Sequence, residues 1–333
     1  MRVLFFAILG LSLCLPSTAP AQQDGAAADR DDRTRIVRFL ESQLSDGARQ
    51  VTIRGFRGAL SSTAELDRLT IADAEGVWLT LDDATLTWSR AALLRGELRI
   101  DTLTAAALSV ARPPVTEPGI DLPEAEATPF SLPDLPVSVS IDEVTIDRIE
   151  LGPSFIGTPV ALSVEGAARL AGGAGQADLE ILRLDGPRGV FDLSAGYDNA
   201  TRQVDVSLLL EEDAGGLAAN ALSLPGAPAV RLAIEGSDPI DDFTAEIALS
   251  SNGRPRLTGT VTTALAADTG VRDITARLDG DITPLVLPDY RDFFGPDVGL
   301  TSRVRLLPDG AMALDALDLR AAALTLSGDA EIA

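Results

Sequence analysis

From Gln50 onward, apolar and polar residues alternate with few interruptions. Val77, Leu79 and Leu81 alternate with Trp78, Thr80 and Asp82; Val137, Val139 and Ile141 with Ser138, Ser140 and Asp142; Val230, Leu232 and Ile234 with Arg231, Ala233 and Glu235. The runs Phe243–Leu249 and Ile274–Leu278 keep the same rhythm. Strand side chains point to opposite faces with period two, so each run predicts a strand with one dry and one wet face, the antiparallel signature. Asn252-Gly253 and Pro308-Asp309-Gly310 place hairpin turn chemistry between such runs. The spacing predicts about eighteen to twenty strands.

One phrase recurs: LDRLTI at 66–71, IDTLTA at 100–105, IDEVTI at 141–146 and LDALDL at 314–319. Leu66 and Leu69 are three apart whereas Leu69 and Ile71 are two apart, so one apolar face cannot run straight through Asp67. A bulge or tight kink is expected there, with the Asp carboxylate bonding nearby backbone N–H groups. The phrase reads as strand, kink, strand. Helical spacing is confined to Ile36, Val37, Leu40 and Leu44, which predict an amphipathic helix over 31–46 that caps the first sheet, and to short stretches at Ala214–Leu222 and Pro288–Phe294.

Residues 113–136 hold seven of the 20 prolines among scattered acids and read as an extended linker. The expected division is a signal peptide at 1–21, a tail and amphipathic helix at 22–48, an N-terminal β domain at 49–112, the linker, and a repeated β segment at 137–333. LTLSGDAEIA carries its alternation up to Ala333, which reads as a sheet continuing in a longer chain. In the first 21 residues, Arg2 precedes an apolar run Val3–Leu15, a break at Pro16 and Ala19-Pro20-Ala21, a secretory signal with an A-x-A pattern. The run is shorter than the ~20 residues of a spanning helix; an uncleaved anchor is the alternative. Export to a bacterial periplasm is the compartment expected.

Composition narrows the chemistry. The chain of 333 residues is 46% hydrophobic but only 4% aromatic, so its apolar surface is aliphatic. Its net charge is −23, or −24 once Arg2 leaves with the signal, which argues against a nucleic-acid partner. All 27 basic residues are Arg, and there is no His. Ser-His-Asp and Cys-His machinery, most zinc sites, Schiff-base chemistry and phosphate loops ending in GK[ST] are therefore excluded. The single Cys, Cys14, lies in the signal, so the mature chain has no disulfide. Among 50 acids no carboxylate pair stands out. No enzyme activity, cofactor or metal is expected; a calcium ladder on Asp67, Asp101, Asp142 and Asp315 lacks the close carboxylate spacing such ladders use.

So many one-faced strands must bury their dry faces somewhere. A sandwich of two sheets is one solution. An outer-membrane barrel would have longer strands and aromatic girdles, which two Trp and two Tyr cannot supply. The third is a long antiparallel sheet, all-β, curled into a groove by its repeated kinks and covered by lipid tails. The pattern leaves sandwich and groove open.

The stretches GFRGALSSTAELDRLTIADAEGVWLTLDDATLTWSRAALLRGELRIDTLTAAALSVARPP (55–114), ALSLPGAPAVRLAIEGSDPIDDFTAEIALSSNGRPRLTGTV (221–261) and DITPLVLPDYRDFFGPDVGLTSRVRL (281–306) resemble, in order, the N-terminal portion of the TamB family of AsmA-like proteins. That resemblance implies a periplasmic β-groove that passes phospholipid between the inner and outer membranes. It also implies support of outer-membrane protein and autotransporter assembly, a form of protein secretion, with the barrel TamA as partner. The region of the family that docks on that partner has no counterpart here, and the N-terminal segment looks cleavable where the family keeps an inner-membrane anchor. The groove-lining candidates are Val77, Leu79, Leu81, Leu98, Val139, Val230, Leu232, Ile247 and Val304. The alternative is an exported structural or adhesive β-sandwich or solenoid with a dry core. Trp88 shares parity with Leu86 and is expected in the core; Tyr290, Phe293 and Phe294 are expected to form a small satellite core; Gly55, Gly58 and Gly96 are expected in turns.

Overall fold

The structure, a computed structural model, describes residues 37–38, 41–42, 45, 49–58, 61–115, 131–133, 135, 137–308 and 311–332. The alternating runs become sixteen strands: β1 (Gln50–Arg54), β2 (Thr63–Asp73), β3 (Gly76–Trp88), β4 (Glu97–Val110), β5 (Ser138–Leu151), β6 (Val160–Ala171), β7 (Ala174–Arg183) and β8 (Gly189–Asp198). They continue as β9 (Gln203–Glu212), β10 (Val230–Pro239), β11 (Asp242–Ser251), β12 (Arg254–Leu265), β13 (Arg272–Gly280), β14 (Val298–Leu306), β15 (Met312–Arg320) and β16 (Thr325–Ile332). All sixteen lie in one sheet whose spatial order is the chain order, and β1 and β16 do not pair, so the sheet is open. The count falls below the eighteen to twenty expected. At ~4.8 Å per strand step, the fifteen steps between sixteen strands make the sheet about 72 Å long.

Every junction is an antiparallel hairpin except one. β4 and β5 pair in parallel over ten registered positions. A parallel pair needs a long crossover, and the connection from Ala111 to Val137 holds the proline- and acid-rich stretch; of it, residues 116–130, 134 and 136 lie outside the described residues. At its start, Arg112 makes a two-pronged ion pair with Asp73 at 2.5 and 2.8 Å, and Val115 donates its N–H to the same carboxylate at 2.8 Å. The crossover is thus fastened to the β2–β3 turn.

The recurring Asp phrase now has a reason. In β4, Ile100 and Leu103 share a face although three residues apart, and in β5 so do Ile141 and Val144; the parallel register pairs Ile100 with Ile141 and Leu103 with Val144. Two strands running in the same direction stay in phase only if their slips coincide. Further slips at Leu66–Leu69 in β2, Leu81–Ala84 in β3, Ala105–Leu108 in β4 and Ile146–Ile149 in β5 line up likewise. β6 keeps strict alternation, so the two slips of β5 appear as bulges against it. The fourth copy behaves the same way, with register shifts at Leu314–Leu317. The Asp side chains do not serve the backbone as expected: Asp101 and Asp142 both accept from Arg99 (3.1 and 2.6 Å), Asp67 from Arg57 (2.7 Å) and Asp315 from Arg305 (2.6 Å). Arg99 therefore staples the parallel pair at its slip.

Turn residues follow the backbone they must adopt. Asn252 and Gly253 both have positive φ, the paired left-handed turn that suits a two-residue hairpin, and Gly55, Gly58 and Gly96 also have positive φ. Of the helix expected over 31–46, Val37, Arg38, Glu41 and Ser42 are helical; its other residues, apart from Ser45, lie outside the described residues. Glu41 and Ser45 accept from the backbone N–H groups of Ile53 and Val51 at 2.8 and 2.9 Å. Side chains thus occupy the free edge of β1, where unpaired N–H groups would otherwise be exposed. The leader expected at 1–21 lies outside the described residues, and among those described no helix is long and apolar enough to cross a membrane.

Candidate functional site

Registered partners in adjacent strands project to the same face, so the strand pairing draws the surface of the sheet row by row. One row begins at Ala64 in β2 and takes one residue from each strand through Leu86, Leu103, Val144, Leu193 and Ile247 to Leu326 in β16; every position in it is apolar or glycine. The neighbouring row runs without a polar residue from Leu66 through Ile146, Phe191 and Leu232 to Val298 in β14. The opposite face carries Thr63, Thr87 and Thr102 across β2–β4 and Glu165, Glu180 and Asp192 across β6–β8. The sheet is dry on one side and wet on the other along its whole length.

The dry face is not sealed. Among the described residues no leucine, phenylalanine or tryptophan is buried; the buried apolar set is Val, Ile, Ala and Tyr197. Leucine and phenylalanine are among the residue types most often buried when a second layer covers a sheet. Here Leu79, Leu81, Leu193, Ile247 and Leu300 are half-buried beside their neighbours in the rows.

Eight of the nine candidate residues fall on this face, at separate places along it; Val77, beyond a register shift, pairs with Ala72 and so shares the face of Gln50 on the other side. Val77, Leu79 and Leu81 lie on β3, with Leu79 beside Ile71 and Val110 and Leu81 beside Leu69 and Leu108. Leu98 and Val139 are direct partners across the parallel junction. Val230 and Leu232 lie on β10, Ile247 on β11, and Val304 on β14 between Ile274 and Leu314. Val139 and Val230 are buried, and Val77 is the most open at 52% exposure. The sequence reading missed the continuity of the rows, because single-strand parity carries no register; it also missed the Leu-rich strand β9, whose Leu208 and Leu210 sit in the two central rows. Trp88 pairs with Ile100 on the dry face, half-buried. Phe293 and Phe294 meet edge-on at 5.2 Å, but Phe293 and Tyr290 are exposed and Phe294 is only half-buried, so the three do not close into the small core expected of them.

The wet face has its own relief. Two adjoining open hollows of about 520 and 620 Å³ share Arg169 and Gln176 across β4–β9. Their charges are largely committed: Arg99 is held by Asp142 and Asp101, which raise its pKa, and Ser194 donates to Asp178 at 2.6 Å. At the strand ends, Asp241 accepts two bonds from Arg202 and one from Arg272, and these guanidinium groups hold its carboxyl below the usual range. Among the described residues no group of His, Cys, Asp and Glu is placed to hold a metal ion. What this geometry offers chemically is a continuous aliphatic surface. The chain matches no protein-family model, no curated protein and no solved structure.

Proposed function

We propose that this protein is a non-enzymatic conduit of the TamB kind, which holds phospholipid acyl chains on its apolar face and passes them along an exported, periplasmic groove in support of outer-membrane biogenesis. The observation that carries the reading is the unbroken apolar row from β2 to β16. A binding pocket needs one local cluster, whereas a path needs the same chemistry repeated at every strand. Val, Leu, Ile and Ala give a smooth lining without fixed polar partners, which suits acyl chains sliding past. Curling of the sheet around them is favoured by the aligned slips of β2–β5 and by glycine where strands crowd: a Cβ on Gly259 would stand 2.0 Å from the Arg277 carbonyl oxygen. The dry-core sandwich is disfavoured by the half-open leucines, since burying each would contribute about 2 kcal/mol that a sealed core would not forgo. No step in such transport needs a nucleophile or general base, in keeping with a chain that has no His or Lys.

The test is lipid mass spectrometry on the chain purified from a bacterial periplasm without detergent. Stoichiometric phospholipid is expected, and Leu193→Asp with Ile247→Asp is expected to remove most of it while leaving the circular dichroism of a β protein. A folded, lipid-free wild-type protein would sink the proposal.

A further inference from the structure

The dry face changes character over β6–β8. The row beside the central one is reduced there to Ala168, Ala177 and Ala195, and the next row is Leu170, Gly175 and Tyr197. Small side chains make a shallow depression between the leucines on one side and Tyr197 on the other. Leu132, from the crossover between β4 and β5, is seated in it. A Cβ built on Gly175 would lie 2.7 Å from Leu132 Cδ1, so the leucine methyl takes the space that any larger residue would fill. Its backbone is held as a strand would hold it: the Leu132 N–H donates to Asn199 Oδ1 at 2.8 Å, and Asn199 Nδ2 donates to the Leu132 carbonyl at 2.8 Å. Asn199 stands in the β8–β9 turn, outside the sheet ladder, so this amide is a dedicated clasp. Leu132 remains half-buried. Two hydrogen bonds and one leucine make a contact that thermal motion can undo, each bond being worth about 1 kcal/mol net.

We propose that the alanine- and glycine-floored depression over β6–β8 is a docking site for a single acyl chain, and that Leu132 is its built-in competitor. This rests on the conduit reading for the identity of the ligand, but the seat itself stands on the contacts above. With Leu132 clasped by Asn199, that stretch of the dry face is covered; with Leu132 lifted, the depression is continuous with the central rows and an acyl tail can enter.

The probe is cis-parinaric acid, a fluorescent fatty acid, titrated into the full chain. Leu132→Ser and Asn199→Ala leave the floor intact and are expected to tighten its binding about fivefold, the gain when a competitor seated four-fifths of the time is removed. Amide exchange at Leu132 is expected to be about fivefold slower in the wild-type protein than in Asn199→Ala, the protection that the same four-fifths occupancy gives. Unchanged or weaker probe binding in both variants overturns the proposal, as does equal exchange of Leu132 in the wild type and Asn199→Ala. The two readings separate cleanly. Wild-type binding that responds to Leu193→Asp but not to Leu132→Ser keeps the conduit and overturns the competitor; tighter probe binding in a protein that never carries phospholipid keeps the competitor site and overturns the conduit.

Discussion

Strands β2–β5 and strands β8–β13 present the same apolar face by different means. In the first region the slip at Asp67 lines up with slips in β3, β4 and β5, the slips at Asp101 and Asp142 coincide across the parallel pair, and arginines staple the wet side. In the second region alternation is strict apart from one register shift at Leu249/Ser250, and glycines stand within the rows, such as Gly259 against Leu278. The backbone solution changes while the row of apolar side chains continues across it. The property held constant is the face, and no individual residue within it.

The comparison can be broken at the parallel junction, where the largest effect is expected. Deleting Asp101 removes the slip from β4 alone and sends Leu98 and Ile100 to the wet side against Val139 and Ile141, a loss of about 4 kcal/mol in urea unfolding. Deleting Asp101 and Asp142 together restores their agreement and also removes a bulge against β6, so most of that stability should return. If the double deletion is as damaged as the single one, coincident slips are not the reason for the repeated phrase. In the regular region, Gly259→Val is expected to cost about 3 kcal/mol, because its Cβ meets the Arg277 carbonyl oxygen, a backbone atom that cannot swing aside. A neutral result would show that this region is flatter than the close approach implies.

The clasp of the crossover sharpens the comparison through pH. Asp73 is held well below the usual carboxylate range, first by the Arg112 guanidinium and then by the Val115 N–H. A carboxyl depressed on folding contributes stability that is fully present above its unfolded value of about 3.9 and is lost progressively as pH falls below it. The melting temperature of the wild-type chain should therefore fall below about pH 4 more steeply than that of Asp73→Asn, which should melt several degrees lower at pH 7. Parallel curves would remove Asp73 from the account. The smallest effect is expected at Arg99→Ala: its pairs with Asp101 and Asp142 are half exposed, and such pairs contribute little, so the midpoint should move by less than about 2 °C.

Much of this was legible from residue order. Period two gave the strands, the three-residue step at Asp67 gave the kinks, and Asn252-Gly253 gave its hairpin, because each is a local consequence of side-chain direction. The parallel pairing of β4 with β5 was not legible: two similar phrases fit an antiparallel meander as well until the register places Ile100 against Ile141. Nor was the seat of Leu132, since Gly175 reads in sequence as one more strand glycine and its partner lies in the proline-rich crossover. The Asp carboxylates were assigned to backbone N–H groups, but arginine reach is long, and Arg99 spans two strands to find both. Candidate residues chosen by parity fell on one face except Val77, which a register shift turns to the side of Ala72; their order along the face required the pairing of strands.

The central claim is that one continuous face carries acyl chains past every strand. It is tested most directly by placing a photocrosslinking amino acid in turn at Leu86, Leu193, Ile247 and Leu300 on the central row, and at Thr85, Ser207 and Glu246 on the wet side, in cells producing the full chain. The account predicts crosslinked phospholipid at all four row positions and none at the three wet ones. Crosslinks confined to one strand, or equal on both faces, would contradict it.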